Sequence, residues 1–552
     1  MEITPTTVSA AHSSRWLTLR NMATCLTAIL AMPLFLIMAS LAQPFSNTWQ
    51  HLSDTLLTEY IINTSLLVFG VGIGTLGLGV SSAWLSALCE FPGRRLLSWA
   101  LLLPMAMPAY IIAYTYSGIF DSFGILQTLI RSTFGLEYGD YYFPQIRSLG
   151  GAICMLSLVL YPYVYLLARV AFAGQSLTTL ESSRNLGRGP WNSFFCVSLP
   201  LARPAIIAGL SLALMETLAD YGAVSYFGVN TFTTGIFRTW QGLGELLTAA
   251  QLCAFLLVFV LSLIFLERES RNKLRYYQNF AHAKTKLIPL KKWHAASAIV
   301  FLSFPIIMGF LLPATQLLLW AINYWQKVEK ADFFHLLLNS ITLAIAASVI
   351  CLVFALFLSF VKRRFGGNRE LVQTEVVKLG YAVPGTVIAV GIMLPAGWLD
   401  QKINELSVLW IDNSLGLIFS GTLGILLFAY LARFLSISLQ VIESGMSTIK
   451  PHLDESALSL GASPSHLLSR IHLPILRPSL FTALLLVFVE VLKELPITLI
   501  LRPFNFNTLA IRTYELASEE QLMDAALPAL SIVAIGLVPV LLITRIIIQD
   551  KN

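Results

Sequence analysis

The chain has 552 residues, 56% of them hydrophobic and 12% charged, with a formal net charge of +6. Soluble domains carry about a quarter charged residues, and apolar runs of roughly 20 residues, enough to cross a bilayer, recur along the whole chain. That excludes a sizeable soluble domain, marks an integral membrane protein, and leaves the positive charge with no need of a nucleic-acid partner.

The apolar runs lie near 22–43, 60–86, 96–118, 149–172, 202–228 and 247–266, then near 296–322, 336–361, 374–397, 415–438, 475–500 and 527–547. They predict an all-α fold with about twelve transmembrane helices. The first run exceeds the apolar core of a cleaved signal and has a counterpart at 295–322, so a retained helix is expected. Basic residues gather in alternate loops: Arg94 and Arg95, then Lys362, Arg363, Arg364 and Arg369, and most densely 267–294. The loops between carry acids such as Asp54, Asp121, Asp140, Asp400 and Asp412. Basic loops stay in the cytoplasm, and an even span count puts both termini there. The six cysteines form no CxxC pair, and the eight histidines show no metal-ligand spacing.

The two sets of runs repeat each other. NTSLLV at Asn63 matches NSITLA at Asn339, and MAMPAYIIA at Met105 matches YAVPGTVIA at Tyr381. Residues 181–240 align without a gap on 455–514. Six spans per half give both halves one orientation, a parallel repeat. The division is a first transmembrane domain at 1–266, a cytoplasmic linker at 267–294 and a second transmembrane domain at 295–552.

Each half carries one polar, turn-rich loop after its fourth span: LESSRNLGRGPWNSFFCVSLPLARP at 180–204 and LDESALSLGASPSHLLSRIHLPILRP at 453–478. Gly187 and Gly461 suit a left-handed helix end. Ser463-Pro464, and Gly189-Pro190 in the same place, suit a helix start. Leu199-Pro200 and Leu473-Pro474 are expected to close a second short helix before the chain re-enters the bilayer.

This pattern resembles the EAA loop of binding-protein-dependent ABC importer permeases. The second copy fits throughout, at Glu455, Ser456, Ala457, Gly461, Ile471, Leu473 and Pro474. The first has Glu181, Gly187, Leu199 and Pro200, with Ser182 and Ser183 for the alanines and Val197 for the isoleucine. The resemblance covers nearly the whole chain, as two permease domains fused in tandem. It implies that both loops dock on ATPase subunits, with Glu181, Gly187, Glu455 and Gly461 central to the contact. No G-x-x-x-x-G-K-[ST] loop occurs. The chain is therefore expected not to be an enzyme and to bind no cofactor itself, ATP being used by a separate subunit in two copies.

The fifth span of each half carries two acids four apart, Glu216 and Asp220, then Glu490 and Glu494. On a continuous helix each pair shares a face, and charges at bilayer depth should face a pathway or partners. Four carboxylates beside one pathway suit a hard cation, held transiently. Alternatively Lys493 neutralises Glu490 or Glu494 and the acids brace helices. Arg238-Thr239-Trp240 and Arg512-Thr513-Tyr514 repeat on the outer side. Arg238 and Arg512 are candidate contacts for a periplasmic binding protein, or the segments anchor at the interface. The stretch 216–245 resembles the ferric-iron branch of the fused permeases. The expectation is an inner-membrane, multi-pass importer subunit moving Fe(III) by alternating access. Rival readings are a fused permease for thiamine or another small solute, and an ion-gradient-driven secondary transporter with the acids as proton relays.

Overall fold

The structure, a computed structural model, describes residues 6–175, 189–272, 287–327 and 329–549. Among these, nine helices are long and apolar enough to cross a membrane, from Thr18–Ala42 to Pro464–Leu492. Two helix pairs reach that length only together and are sharply bent: Arg94–Ala106 with Ala109–Phe134 by 94°, and Asn368–Ala382 with Gly385–Trp410 by 112°. A shorter apolar helix opens at Ala526. All twelve expected spans have counterparts, but the third and ninth are broken, not straight.

The breaks fall at the repeated proline. A proline ring disfavours helical geometry in the residue before it. Met107 and Val383 are accordingly extended, with ψ of 111° and 130°, and Pro108 and Pro384 cap the next helices. The fifth span of each half is also interrupted. Helix Leu199–Ala219 stops at Asp220 before Gly222–Tyr226, and Leu473–Leu492 gives way to Pro496–Leu501.

The expected helix ends at Leu199-Pro200 and Leu473-Pro474 do not occur. The N–H of Leu199 donates to the Phe194 carbonyl and that of Leu473 to the Leu468 carbonyl, each five residues back. Leu312, before Pro313, does the same with Ile307. A proline lacks an N–H and its ring crowds the carbonyl four residues back. One wide π turn ahead of it shifts the hydrogen-bond ladder and lets the helix continue. The spans therefore run unbroken over Phe194–Ala219 and Pro464–Leu492.

The chain forms two compact units that do not coincide with the two halves of the sequence. One comprises Met1–Pro44, Ala249–Ala254 and Phe334–Thr508; the other comprises Phe45–Thr248, Phe255–Phe333 and Leu509–Asn552. The first helix of each repeat thus belongs to the unit built from the other repeat's central helices. In the first unit, Arg20 binds Glu370 at 2.6 Å and Gln373 donates to Thr24 at 2.6 Å, tying the N-terminal helix to Asn368–Ala382. In the second, Leu57–Leu88 lies against Leu149–Ala173. A Cβ on Gly79 would stand 2.7 Å from Val164 Cβ, so only glycine permits that approach. Cys89–Glu90 there pairs in parallel with Ile288–Pro289.

Phe35, Phe69 and Val300 are each more than two-thirds exposed on long apolar helices. Lipid-facing helices need such a surface. The protein is an all-α, multi-pass membrane protein.

Candidate functional site

The second polar loop is fully described. Helix Pro451–Ser459 starts on a proline and ends where Gly461 adopts φ +79°. The N–H of Ala462 donates back to the Ala457 carbonyl at 3.0 Å, closing the helix end. Ser463 then caps the next helix, its hydroxyl accepting from the His466 N–H at 3.3 Å, and Pro464 follows as first-turn residue. The expected helix–turn–helix is present, though its second helix runs on into the membrane span. Glu455, Ser456, Gly461 and Pro474 are exposed, Leu473 is half-buried and Ala457 is buried. Leu460, beside Gly461, is 88% exposed. The knob thus offers a carboxylate, a bare leucine and a glycine turn outward while Ala457 packs inward.

Beneath it lies an ionic cluster. The Arg363 Nε donates to Asp454 Oδ2 at 2.6 Å, and its two terminal nitrogens donate to the carbonyls of Met446 at 2.5 Å and Ile449 at 2.9 Å. Those carbonyls end helix Leu423–Thr448, where a cation also meets the negative end of the helix dipole. The other Asp454 oxygen lies 2.9 Å from His472 Nε2. His472 is fully buried, its ring set edge-on to Phe360, and Nδ1 has no hydrogen-bond partner among the described residues. The hydrogen therefore belongs on Nε2, donated to the carboxylate. Burial alone would raise the Asp454 carboxyl, but Arg363 and His472 outweigh it and hold it below the ordinary carboxylate range.

In the first loop, Glu181, Ser182, Ser183 and Gly187 lie outside the described residues. Leu199 is half-buried and Pro200 exposed at the start of helix Leu199–Ala219.

The four membrane acids do not sit as helix-face pairs, because Asp220 and Glu494 lie just past their helix ends. Each caps the next short helix instead. Asp220 accepts the N–H groups of Ala223 and Val224 at 3.1 and 3.0 Å. Glu494 accepts that of Ile497, the residue aligned with Ala223, at 3.2 Å. A carboxylate at a helix N-terminus satisfies free donors and meets the positive dipole end. Glu494 also binds Arg433 at 2.9 Å, both side chains less than a tenth exposed. Lys493 pairs with Glu490 at 2.8 Å, the neutralising alternative raised by the sequence. Glu216 is half-buried with no hydrogen-bonded or ionic partner among the described residues. Among the described residues, no group of three or more His, Cys, Asp or Glu gathers to hold a metal ion.

In the second unit, Arg238 donates to Asn230 Oδ1 at 2.6 Å, and Asn230 Nδ2 to Glu59 at 2.8 Å. Arg512 stands 4.0 Å from Glu515. Tyr514 donates to Ser225 at 3.0 Å, and its ring lies 5.8 Å from that of Tyr221.

Comparison with known proteins bears on what such a chain does. No known family profile matches it. It is 25% identical over 495 residues to the Fe(3+)-transport system permease protein FbpB 2 of Haemophilus influenzae, covering 89% of this chain and 90% of that one. It is 22% identical over 483 residues to the probable ABC transporter permease protein y4fN of Sinorhizobium fredii, covering 83% and 81%. The molybdenum transport system permease protein ModB of Escherichia coli is 29% identical over 209 residues, 88% of its own length but 36% of this chain. A shorter permease thus matches a third of the chain while double-length permeases match nearly all of it. Over nearly its whole length the chain is similar to ABC transport permeases, and its role is that of a transport subunit.

Four residues escaped the sequence reading. Arg363 sits in a basic run that reads as a topology signal, and nothing local points to Asp454 or His472 as its partners. Arg433 was missed too, although a lone arginine inside the run 415–438 demands a buried partner. The chain supplies it 61 residues later.

Proposed function

We propose that the chain is the membrane-spanning subunit of an ATP-driven, binding-protein-dependent importer in the bacterial cytoplasmic membrane, with both termini in the cytoplasm and Fe(III) as its cargo. The whole-length similarity to a permease named for Fe(3+) transport carries this reading. Two copies of an ATP-binding subunit dock on the loops at 180–204 and 453–478, with Glu181, Gly187, Glu455 and Gly461 at the contacts. The exposed Glu455, Leu460 and Gly461 of the second knob support that role. A periplasmic binding protein delivers cargo to the outer face, where Arg238 and Arg512 are contact candidates, and the permease then alternates between outward and inward access.

Within the pathway the acids divide their work. Glu490 and Glu494 are neutralised by Lys493 and Arg433 and brace the broken fifth span of the second half. Glu216 and Asp220, without such a cation, face the passing metal ion as transient oxygen ligands.

The test is Glu455→Lys in the complete transporter. Radiolabelled Fe(III) uptake is expected to collapse while the protein remains in the membrane at wild-type level. Uptake at the wild-type rate would remove the docking role.

A further inference from the structure

Four elements meet at one ionic cluster in the first unit. Arg363 lies in the last turn of helix Lys330–Phe365 and holds the end of helix Leu423–Thr448 through the Met446 and Ile449 carbonyls. The same guanidinium binds Asp454 on helix Pro451–Ser459, the body of the knob. Asp454 in turn accepts from His472, in the π turn that leads into Leu473–Leu492. Phe360, one turn before Arg363, sets its ring 5.7 Å from that of His472. All three polar side chains are mostly buried, although the helix they secure is exposed.

We propose that Arg363, Asp454 and His472 form the joint through which motion of the second docking helix reaches helix Leu473–Leu492. The three share a groove with Glu455 but are mostly buried within it and bound to one another, so they act as positioning residues. The far end of the driven helix carries Glu490 and leads to Glu494, so a push on the knob is delivered to the broken pathway helix. A charge-assisted pair with bonds on every side resists shear where a helix resting on apolar contacts would slide.

The joint belongs to the second repeat. By sequence, Leu180 and Ser198 stand at the positions of Asp454 and His472. The first repeat ties its π turn differently, Gln175 Nε2 donating to the Ser198 carbonyl at 2.8 Å. The two docking loops are therefore mechanically unlike.

The inference rests on the docking role proposed above, and its test separates the two. The complete transporter, with its ATP-binding subunit and binding protein, is reconstituted in liposomes, and radiolabelled Fe(III) imported per ATP hydrolysed is measured. Asp454→Asn and Arg363→Gln are expected to retain the ATP-binding subunit and its hydrolysis rate, while import per ATP falls about five- to tenfold. Asp454→Glu, which keeps the carboxylate, should recover part of the loss. A merely structural defect would lower hydrolysis and import together and leave the ratio unchanged. If Asp454→Asn does not assemble, His472→Gln, which leaves the Arg363 pair intact, is read in its place, with the same fall expected. A wild-type ratio in the assembled variants overturns the joint. A wild-type chain that brings down no ATP-binding subunit overturns the docking reading instead.

Discussion

Arg433 and Glu494 form a buried ion pair at 2.9 Å beside the proline break that opens helix Gly385–Ile411. A Cβ on Gly385 would stand 2.3 Å from Arg433 Nη1 and 2.7 Å from Glu494 Oε1. The two helix breaks of the second repeat therefore meet at one charge pair. In the first repeat the aligned acid, Asp220, caps its short helix through backbone N–H groups.

Removing one partner of a buried pair leaves a charge stranded, at a cost of about 3–5 kcal/mol. Arg433→Met alone should therefore lower the thermal midpoint of the detergent-solubilised protein sharply. Arg433→Met combined with Glu494→Met should regain much of the loss. A double variant less stable than the single would contradict the pairing.

Gly385→Ala should push the same pair apart, at about 1–3 kcal/mol for overpacking. Gly397→Ala meets nothing within 4 Å and should stay within about 0.5 kcal/mol of wild type. The contrast is read by thermal unfolding of both variants side by side.

Much of this architecture was legible beforehand. The repeat NTSLLV/NSITLA has a structural counterpart: Asn63 donates to the Asn230 carbonyl at 3.0 Å, and Asn339 to the Asn507 carbonyl at 3.2 Å. The Gly461 turn and the Ser463 cap follow from local chemistry, and both stand where the residue types put them. What hydropathy could not carry was the course of the backbone inside an apolar run. Pro108 and Pro384 bend their spans, Asp220 and Glu494 end theirs, and Pro200 and Pro474 do neither. A proline can bend a span, follow a wide turn that absorbs it, or sit inside a continuous helix as Pro162 does, and composition does not tell these apart. The exchange of first helices between the units was equally silent, because packing partners far apart in sequence leave no local trace.

Asn63→Ala and Asn339→Ala remove equivalent hydrogen bonds and should destabilise by similar amounts, about 0.5–1.5 kcal/mol each. Unfolding midpoints that differ widely between them would contradict the equivalence.

The Asp454 carboxyl is held below its ordinary range, by Arg363 from helix Lys330–Phe365 and by His472 from the π turn, with Arg364 and Glu455 lining the same groove. A depressed folded-state pKa gives stability that is present above the unfolded value and lost as pH falls through the folded one. The stability gap between wild type and Asp454→Asn should be full near neutral pH and shrink below about pH 4. A gap that widens on acidification would contradict the assignment.

The central claim is that a separate ATP-hydrolysing subunit drives this permease through its cytoplasmic knobs. The most direct measurement is Fe(III) uptake into proteoliposomes holding the purified complex, with ATP or an ion gradient as the sole energy source. The account predicts uptake that requires ATP and the loaded binding protein, and is lost in Glu455→Lys. Uptake driven by an ion gradient without ATP would contradict it.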